Sequence, residues 1–528
     1  MSTFDMPLTG IDPTNPIPGV LGEIRFAQGQ AGGASGPKKI LVLAPRTSSG
    51  SLTQDTVIGG PYSREADIIT DTGAGSPAHR MAARMLKLYQ GSPLYILCPT
   101  AATGTAAIDK VTITFSSGSA PGAVGVAVIT ICGVDCSFAF TTSDTVTTIA
   151  AGLVAAINDH TELPVTASNA LGVITITGKI TGEELNSIRF AVKTIGASTN
   201  VLYNAATSIA DIPLGTSGAA GAAAGTGSIS YTTALTTILA SNFHCIVQVS
   251  QTGTVVKALN DQVDTQAQPS TGFRQHVFTG SALGSSVTDT TVNTLAAGSN
   301  FNRARGTIVH QYASPEEHYM LAANMAAVWL LKTVSDPSAS FNSYGLGAND
   351  VNPFSAPALQ ANYPTFGGAG SIAANLNSGV TPIAVAPNGA AYVVRHVTTY
   401  CKNGANFDYR VRNSDVVTVG DRFTDDLTSK LALAPWSKIT DDPASTTLPQ
   451  PPKEFATPAR VKAMAETLIN EYSDKGWFDP KQRATMLSQL TVGIDPNNAG
   501  RMNVQANAYA AIWLNQMGVL VLESSPSL

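Results

Sequence analysis

Charge is what this sequence has least of for its size. Only 13% of its 528 residues are Asp, Glu, Lys or Arg, where soluble proteins average roughly 25%. Thr, Ser, Ala, Gly and Asn take their place, giving a surface with weak long-range repulsion and little side-chain entropy to lose on contact. Such a surface suits repeated protein–protein packing. The net charge is −5, and no block of Lys and Arg is long enough to neutralise a run of phosphates, so the sequence argues against nucleic-acid binding. Cysteine is scarce too: five, scattered and odd in number. Cys98 and Cys245 lie in apolar runs and read as small hydrophobes, which points to folding in a reducing compartment. The start, "MSTFDMPLTGIDPTNP", has no basic stretch leading into an apolar run and does not read as a secretory signal. The most apolar helical run, Met320 to Leu331, is too short to span a bilayer, which argues against membrane insertion.

What is present is organised in blocks. The length predicts two to four domains at roughly 150 residues each. Residues 1–37 are rich in Pro, Gly and polar residues, and with the short extended patch Ile17–Phe26 they read as an arm. Then "KKILVLAP" (38–45) and "SPLYILCP" (92–99) read as buried strands. Between them, 76–91 reads as a helix with Ser76 as N-cap, Pro77 at its first position and Gly91 as its stop. Two wholly apolar strands around a helix predict a parallel pair. The pattern resumes with strands at 242–250, 273–280 and 305–313, and helices at 255–266, 287–298 and 314–334. Ser314 should cap the last of these, with Pro315 opening it and Glu316 and Glu317 solvated at its positive end. "VVRHVTTY" (393–400), after the turn-like Asn388-Gly389, reads as a strand. Alternation places Val393, Arg395, Val397 and Thr399 on one face and Val394, His396, Thr398 and Tyr400 on the other.

Residues 101–228 interrupt that α/β pattern with short Thr- and Val-rich strands and one helix, 145–159, so a small β-rich module is inserted there. Its return, "GTSGAAGAAAGTGS" (215–228), reads as a flexible linker. After 400 come a mixed segment, the Pro-rich stretch 448–458, and helix 458–474. That helix carries Val461, Met464, Ala465, Leu468, Ile469 and Tyr472 along one stripe. "GVLVLE" reads as a strand near the end of the chain.

Groups that could do chemistry do not assemble. Gly215-Thr216-Ser217 has the look of a protease nucleophile segment, but no following helix orients the serine and no base stands near it in sequence. The glycines at 218, 221, 225 and 227 follow no strand and precede no Lys-Ser/Thr, so they form no phosphate loop. His310, Glu316, Glu317 and His318 span a strand end and a helix start, matching no common metal-ligand spacing. Cys132 and Cys136 lack a second ligand pair and read as packing residues. The sequence therefore gives no catalytic residue, no cofactor and no metal.

"PIPGV" near the start, the interrupted α/β pattern, "GVTPIAVAPNGAAYVVRHVTTY" (379–400) and the terminal strand together resemble contractile tail sheath proteins over nearly the whole chain. The inserted module, with "LPVTA" and "GVITITGKITGEELNSI", looks like that of Mu-like phage sheaths. Arg395 and Thr398 to Tyr400 match the family's Arg-x-Val-Thr-Thr-Tyr pattern, where the strand is structural. The resemblance implies an α/β fold: a three-layer, subtilisin-like sheath core without proteolytic residues, an inserted β-rich domain and extended terminal arms. It divides the chain into arm 1–37, core 38–100 and 229–400, outer domain 101–228, tube-facing C-terminal region 401–510 and strand arm 511–528. It implies a homo-oligomer of stacked six-subunit rings on a tail tube protein, with baseplate and tail terminator proteins as further partners, assembled in a bacterial cytoplasm and resident in the virion. Inter-subunit pairing would fall to Ile17, Val20, Ile24, Phe26, Val519 and Val521. Lys453, Arg460 and Lys462 would meet the tube. An adhesin or virion decoration protein binding through the inserted module is the alternative, weakened by the absent export signal and only four tryptophans. A hydrolase with an unrecognised site is a third.

Overall fold

A computed structural model of the chain describes residues 38–511, apart from 240, 269–270, 283–289, 298–300, 340–352, 356–369, 387–388, 404–405, 409–410, 444–448 and 499. Residues 1–37 and 512–528 lie outside the described residues, and with them Ile17, Val20, Ile24, Phe26, Val519 and Val521; so does Asn388 of the turn.

The chain opens with β1 (Ile40–Leu43), β2 (Ile58–Tyr62), α1 (Glu65–Thr72), α2 (Pro77–Leu88) and β3 (Leu94–Leu97). Ser76 accepts the N–H of His79 at 3.0 Å and Pro77 opens α2, as their residue types require. The helix stops at Leu88 rather than at Gly91, because Tyr89 turns extended while its N–H closes on Met85. β1 and β3 pair in parallel, Ile40 opposite Leu94. β2, with two glycines and a proline, is hidden from pattern reading and runs antiparallel at the edge.

Residues 101–228 hold β4 (Ile108–Phe115), β5 (Gly125–Ile131), β6 (Val134–Phe140), α3 (Val146–Asp159), β7 (Val165–Ala170), β8 (Val173–Gly178), β9 (Arg189–Gly196), β10 (Val201–Tyr203) and β11 (Ser208–Pro213). They form two four-stranded sheets, ordered β10-β4-β8-β7 and β11-β9-β5-β6. Thr145 and Thr148 cap α3 reciprocally. The return segment is not the flexible linker its composition predicts. The buried carboxylate of Asp109 accepts the N–H groups of Gly215 and Ser217, Ala223 pairs with Ile108, and Gly225 donates to Asn186 at 2.7 Å. Small residues serve close passage here: a Cβ on Gly225 would lie 2.1 Å from the carbonyl oxygen of Gly182.

The chain then supplies α4 (Thr232–Ile238), β12 (Cys245–Gln248), α5 (Gly253–Gln266), β13 (His276–Ser281), α6 (Thr291–Ala297), β14 (Gly306–His310), α7 (His318–Thr333), α8 (Ile372–Asn377), β15 (Val380–Val385) and β16 (Ala391–Val393). One eight-stranded sheet results, ordered β16-β15-β14-β13-β12-β1-β3-β2. Its six inner strands are mutually parallel and its two edge strands antiparallel. Ile308 and Val309 point to opposite faces of β14. Val309 joins the large apolar cluster that includes α7, and Ile308 joins one with Val256 of α5 and Val292 of α6.

Two expectations fail in this part. α7 begins at His318, not at Ser314; Ser314 caps nothing and accepts the N–H of Glu316 at 3.3 Å. Of the run 393–400, only Val393 belongs to β16, and His396, Val397, Thr398 and Thr399 are buried in succession. The two-faced alternation is lost because the run bonds to several segments in turn, Val394 donating to Pro382, Thr398 to Arg412 and Thr399 to Gly306, with threonine hydroxyls adding further bonds. Thr381 accepts the N–H of Val397 at 3.0 Å, Thr398 donates to Val411 at 2.8 Å, and Thr399 donates to Arg303 at 2.9 Å.

The last part holds the two-residue strands β17 (Lys402–Asn403) and β18 (Asn406–Phe407), α9 (Ser414–Ala432), the paired β19 (Lys438–Ile439) and β20 (Phe455–Ala456), α10 (Pro458–Asp474), α11 (Arg483–Gln489), and the hairpin β21 (Thr491–Ile494) with β22 (Met502–Gln505). Val461, Ala465, Leu468, Ile469 and Tyr472 are buried along α10, with Met464 half-buried. Ala465, Leu468, Ile469 and Tyr472 cluster with Val419, Phe423 and Leu427 of α9. Among the described residues there are eleven α-helices, and none is long and apolar enough to cross a membrane.

Candidate functional site

The groups singled out for chemistry are each engaged elsewhere. Ser217 donates to Asp109 and so fastens the return segment. His310 Nδ1 lies 3.0 Å from the carbonyl of Ser281. His318 donates from Nε2 to the carbonyl of Val249 at 2.5 Å, leaving Nδ1 to accept the hydroxyl of Ser187 at 2.7 Å. Burial lowers its pKa to about 4, so the ring is neutral at pH 7. Among the described residues, no three His, Cys, Asp or Glu are placed to hold a metal ion. All five cysteines are free and buried.

The glutamates at the start of α7 are not solvated helix-end charges. The side chain of Glu317 is fully buried, 2.9 Å from Arg80 Nε, and it accepts Arg80 Nη2 at 3.0 Å. The thiol of Cys132 and the hydroxyl of Tyr319 both donate to it at 3.2 Å. Burial pushes this carboxyl upward, but the Arg80 guanidinium, the backbone N–H of Glu317 and the Cys132 thiol together outweigh burial and hold it below the usual range. Arg80 also donates to the carbonyl of Glu162 at 2.8 Å. Arg80 belongs to α2, Glu317 to the start of α7, and Cys132 and Glu162 to the inserted sheets, so three parts of the chain meet on one ion pair. Ser187 on His318, and Lys179 donating to Ala74 at 3.2 Å, extend the same seam. One turn along α2, Arg84 pairs with Glu316 at 2.7 Å. Sequence reading missed this constellation; its one signal was a Glu-Glu pair directly ahead of an apolar helix.

A second seam joins α9 to the sheet. Arg305 binds Asp421 at 2.6 Å, and Arg274 reaches Asp425 at 3.4 Å. None of these four residues stood out in the sequence.

The three cations expected to face a tube lie on α10 and the segment before it. Arg460 donates to the carbonyls of Pro451, Pro452 and Phe455 at 2.6–2.7 Å, folding the proline-rich segment back over the helix start. Lys453 is therefore carried on a loop that Arg460 holds, and it is exposed. Lys462 stands 4.0 Å from Glu466 on the same helix.

Solved structures similar to this chain span nearly its full length. A structure from Desulfitobacterium hafniense shares 13% identity over 94% of this chain and 97% of its own, at a TM-score of 0.45. One from Listeria innocua shares 12% over 92% and 94%, at 0.43. Both are named sheath tail proteins. A chain of the anti-feeding prophage baseplate shares 10% over 97% and 100%, at 0.44. No family model and no curated protein matches the sequence.

Proposed function

We propose that the chain is a structural subunit of a contractile phage tail sheath of the Mu-like kind. It polymerises as stacked six-subunit rings around the tail tube and shortens to drive the tube through the host envelope. The observation that carries the reading is the edge of the main sheet. β16 leads directly into the Val-Arg-His-Val-Thr-Thr-Tyr run on which the family resemblance rests. Among the described residues no strand lies on its outer side, and an open strand edge accepts an added strand.

On this reading the sheet and its flanking helices form the three-layer, subtilisin-like core, the inserted sheets lie outermost, and the region after residue 400 faces the tube. The arms, through Ile17, Val20, Ile24 and Phe26 at one end and Val519 and Val521 at the other, add strands to two different neighbours. Such heterologous contacts do not close and so propagate as a helical array. The rigid cores rotate on contraction while the arms act as tethers. Lys453 and Lys462 meet the tube, with Arg460 holding the loop that presents Lys453. Baseplate and terminator proteins bound the array, which assembles in the host cytoplasm.

Negative-stain microscopy of the purified full chain tests this. Hollow sheath-like tubes are expected, and both removal of residues 1–27 and truncation after Gly518 should leave a soluble, folded protein that no longer forms them. Discrete particles from the full chain, or normal tubes from either truncation, would overturn the strand-exchange reading.

A further inference from the structure

The N-terminal ends of four adjacent strands carry a row of basic side chains. Lys38 precedes β1, His244 precedes β12, Arg274 and His276 stand at the start of β13, and Arg305 precedes β14. Helix α9 faces this row with Asp421 and Asp425, one turn apart and therefore on one face. Arg305 holds Asp421 at 2.6 Å, and His276 Nε2 lies 3.8 Å from the same carboxylate. Arg274 approaches Asp425 only to 3.4 Å. Trp329 of α7 roofs the cluster, its ring 4.8 Å from that of His276 and 5.6 Å from the ammonium of Lys38.

Two carboxylates one turn apart in a largely buried seam cannot both ionise cheaply. Asp421 has the tighter arginine, so it keeps its charge, and the proton stays on Asp425. We propose that α9 is held to the sheet by a one-proton latch, closed with Asp421 charged and Asp425 protonated, and loosened when Asp425 loses its proton. Lys38, directly ahead of β1, lies in the basic row that faces α9 and is part of the latch.

The electrostatics agree with this geometry. Burial pushes Asp425 up to about 8; Arg274 and Lys38 oppose the rise, and Asp421 and Asp426 add to it. Burial also pushes Asp421 up, but Arg305, His276 and Arg274 outweigh it and leave that carboxyl far below its ordinary range. Burial lowers His276, with Asp421 opposing, and brings His244 to about 4. The remaining charges at the seam are engaged: Arg422 with Asp426 at 3.3 Å, Tyr472 of α10 donating to Asp426 at 2.7 Å, and Asp264 of α5 with Arg303 at 2.8 Å.

The sign follows from linkage. Asp425 titrates higher in the closed state than in the released one, so its contribution to closure is full below about pH 4 and is lost as pH rises towards 8. Asp421 titrates lower when closed, so its contribution is present above about pH 4 and lost on acidification. The released fraction of α9 should therefore grow about tenfold per pH unit up to 8 and then level off.

Hydrogen exchange over residues 414–432 of the unassembled full chain, corrected for the intrinsic pH dependence of exchange, measures this with α7 as internal reference. About 50-fold more opening of α9 is expected at pH 8 than at pH 6, with no matching change in α7. Asp425→Asn, which mimics the protonated acid, should abolish the slope. Lys38→Met should carry the plateau to higher pH. Equal α9 opening at pH 6 and 8, or a wild-type slope in Asp425→Asn, would overturn the latch, and an unmoved plateau in Lys38→Met would remove Lys38 from it. The measurement needs no polymer, so its outcome is independent of the sheath reading.

Discussion

Arg80 and Glu317 stand where the inserted sheets meet α7; Arg305 and Asp421 stand where α9 meets the sheet. In the first seam one cation faces one carboxylate, and a thiol and a phenol satisfy its remaining lone pairs. In the second, several basic groups face two carboxylates, and one of those pairs is loose at 3.4 Å. Desolvation of a buried ion pair is repaid by close pairing and added hydrogen bonds. The first seam does this with a fixed set of charges. The second holds a proton, so its charge can be adjusted. A seam of the first kind fixes a position, whereas one of the second kind can be released.

The largest expected effect lies in the first seam. Glu317→Ala leaves Arg80 buried without its counter-charge and should cost about 3–5 kcal/mol in chemical denaturation. Replacing both partners by apolar residues should recover most of that loss. If Glu317→Ala proves nearly neutral, the seam is wetter than its burial indicates, and the contrast collapses.

Asp421→Asn comes next. Here Asp425 can ionise and take over the neutralising role, so the cost should be smaller, about 1–3 kcal/mol. Because Asp421 titrates below its ordinary value, the wild-type chain should lose stability on acidification below about pH 4, and the variant should lose less. Denaturation midpoints at pH 3 and pH 7 read this directly. A loss as large as that of Glu317→Ala would mean that the second carboxylate gives no compensation.

The smallest effect is expected away from both seams. Lys462→Glu alters an exposed pair with Glu466, and exposed pairs are worth about 0–1 kcal/mol. The thermal midpoint of the free subunit should stay within experimental error, while low-salt binding to a tail tube, assayed by co-sedimentation, should weaken. Unaltered binding would remove Lys462 from the proposed contact.

Much of the frame was legible because it rests on local rules. Ser76-Pro77 marks a helix start, and the apolar runs at 40–43 and 245–247 mark buried parallel strands. The seams were not legible, because the ion pairs that define them join residues more than 100 positions apart. Arg80 with Glu317 and Arg305 with Asp421 carry no spacing rule. Segment 393–400 misled through its residue types, since threonines that favour strands also supply hydroxyls for bonds outside a ladder. The carbonyls that engage Arg460 are invisible in sequence. Composition alone makes the Gly/Ala return segment look loose, because it says nothing about Asp109, which holds it.

That fastening has a bearing on how the chain finds its fold. Ile108 and Ala223 are paired backbone to backbone, so the two ends of the inserted module run side by side. Once this neck has formed, the search that brings β12 beside β1 proceeds as though the long excursion were a short turn. A contact that would otherwise wait on closure of a very long loop becomes an early one.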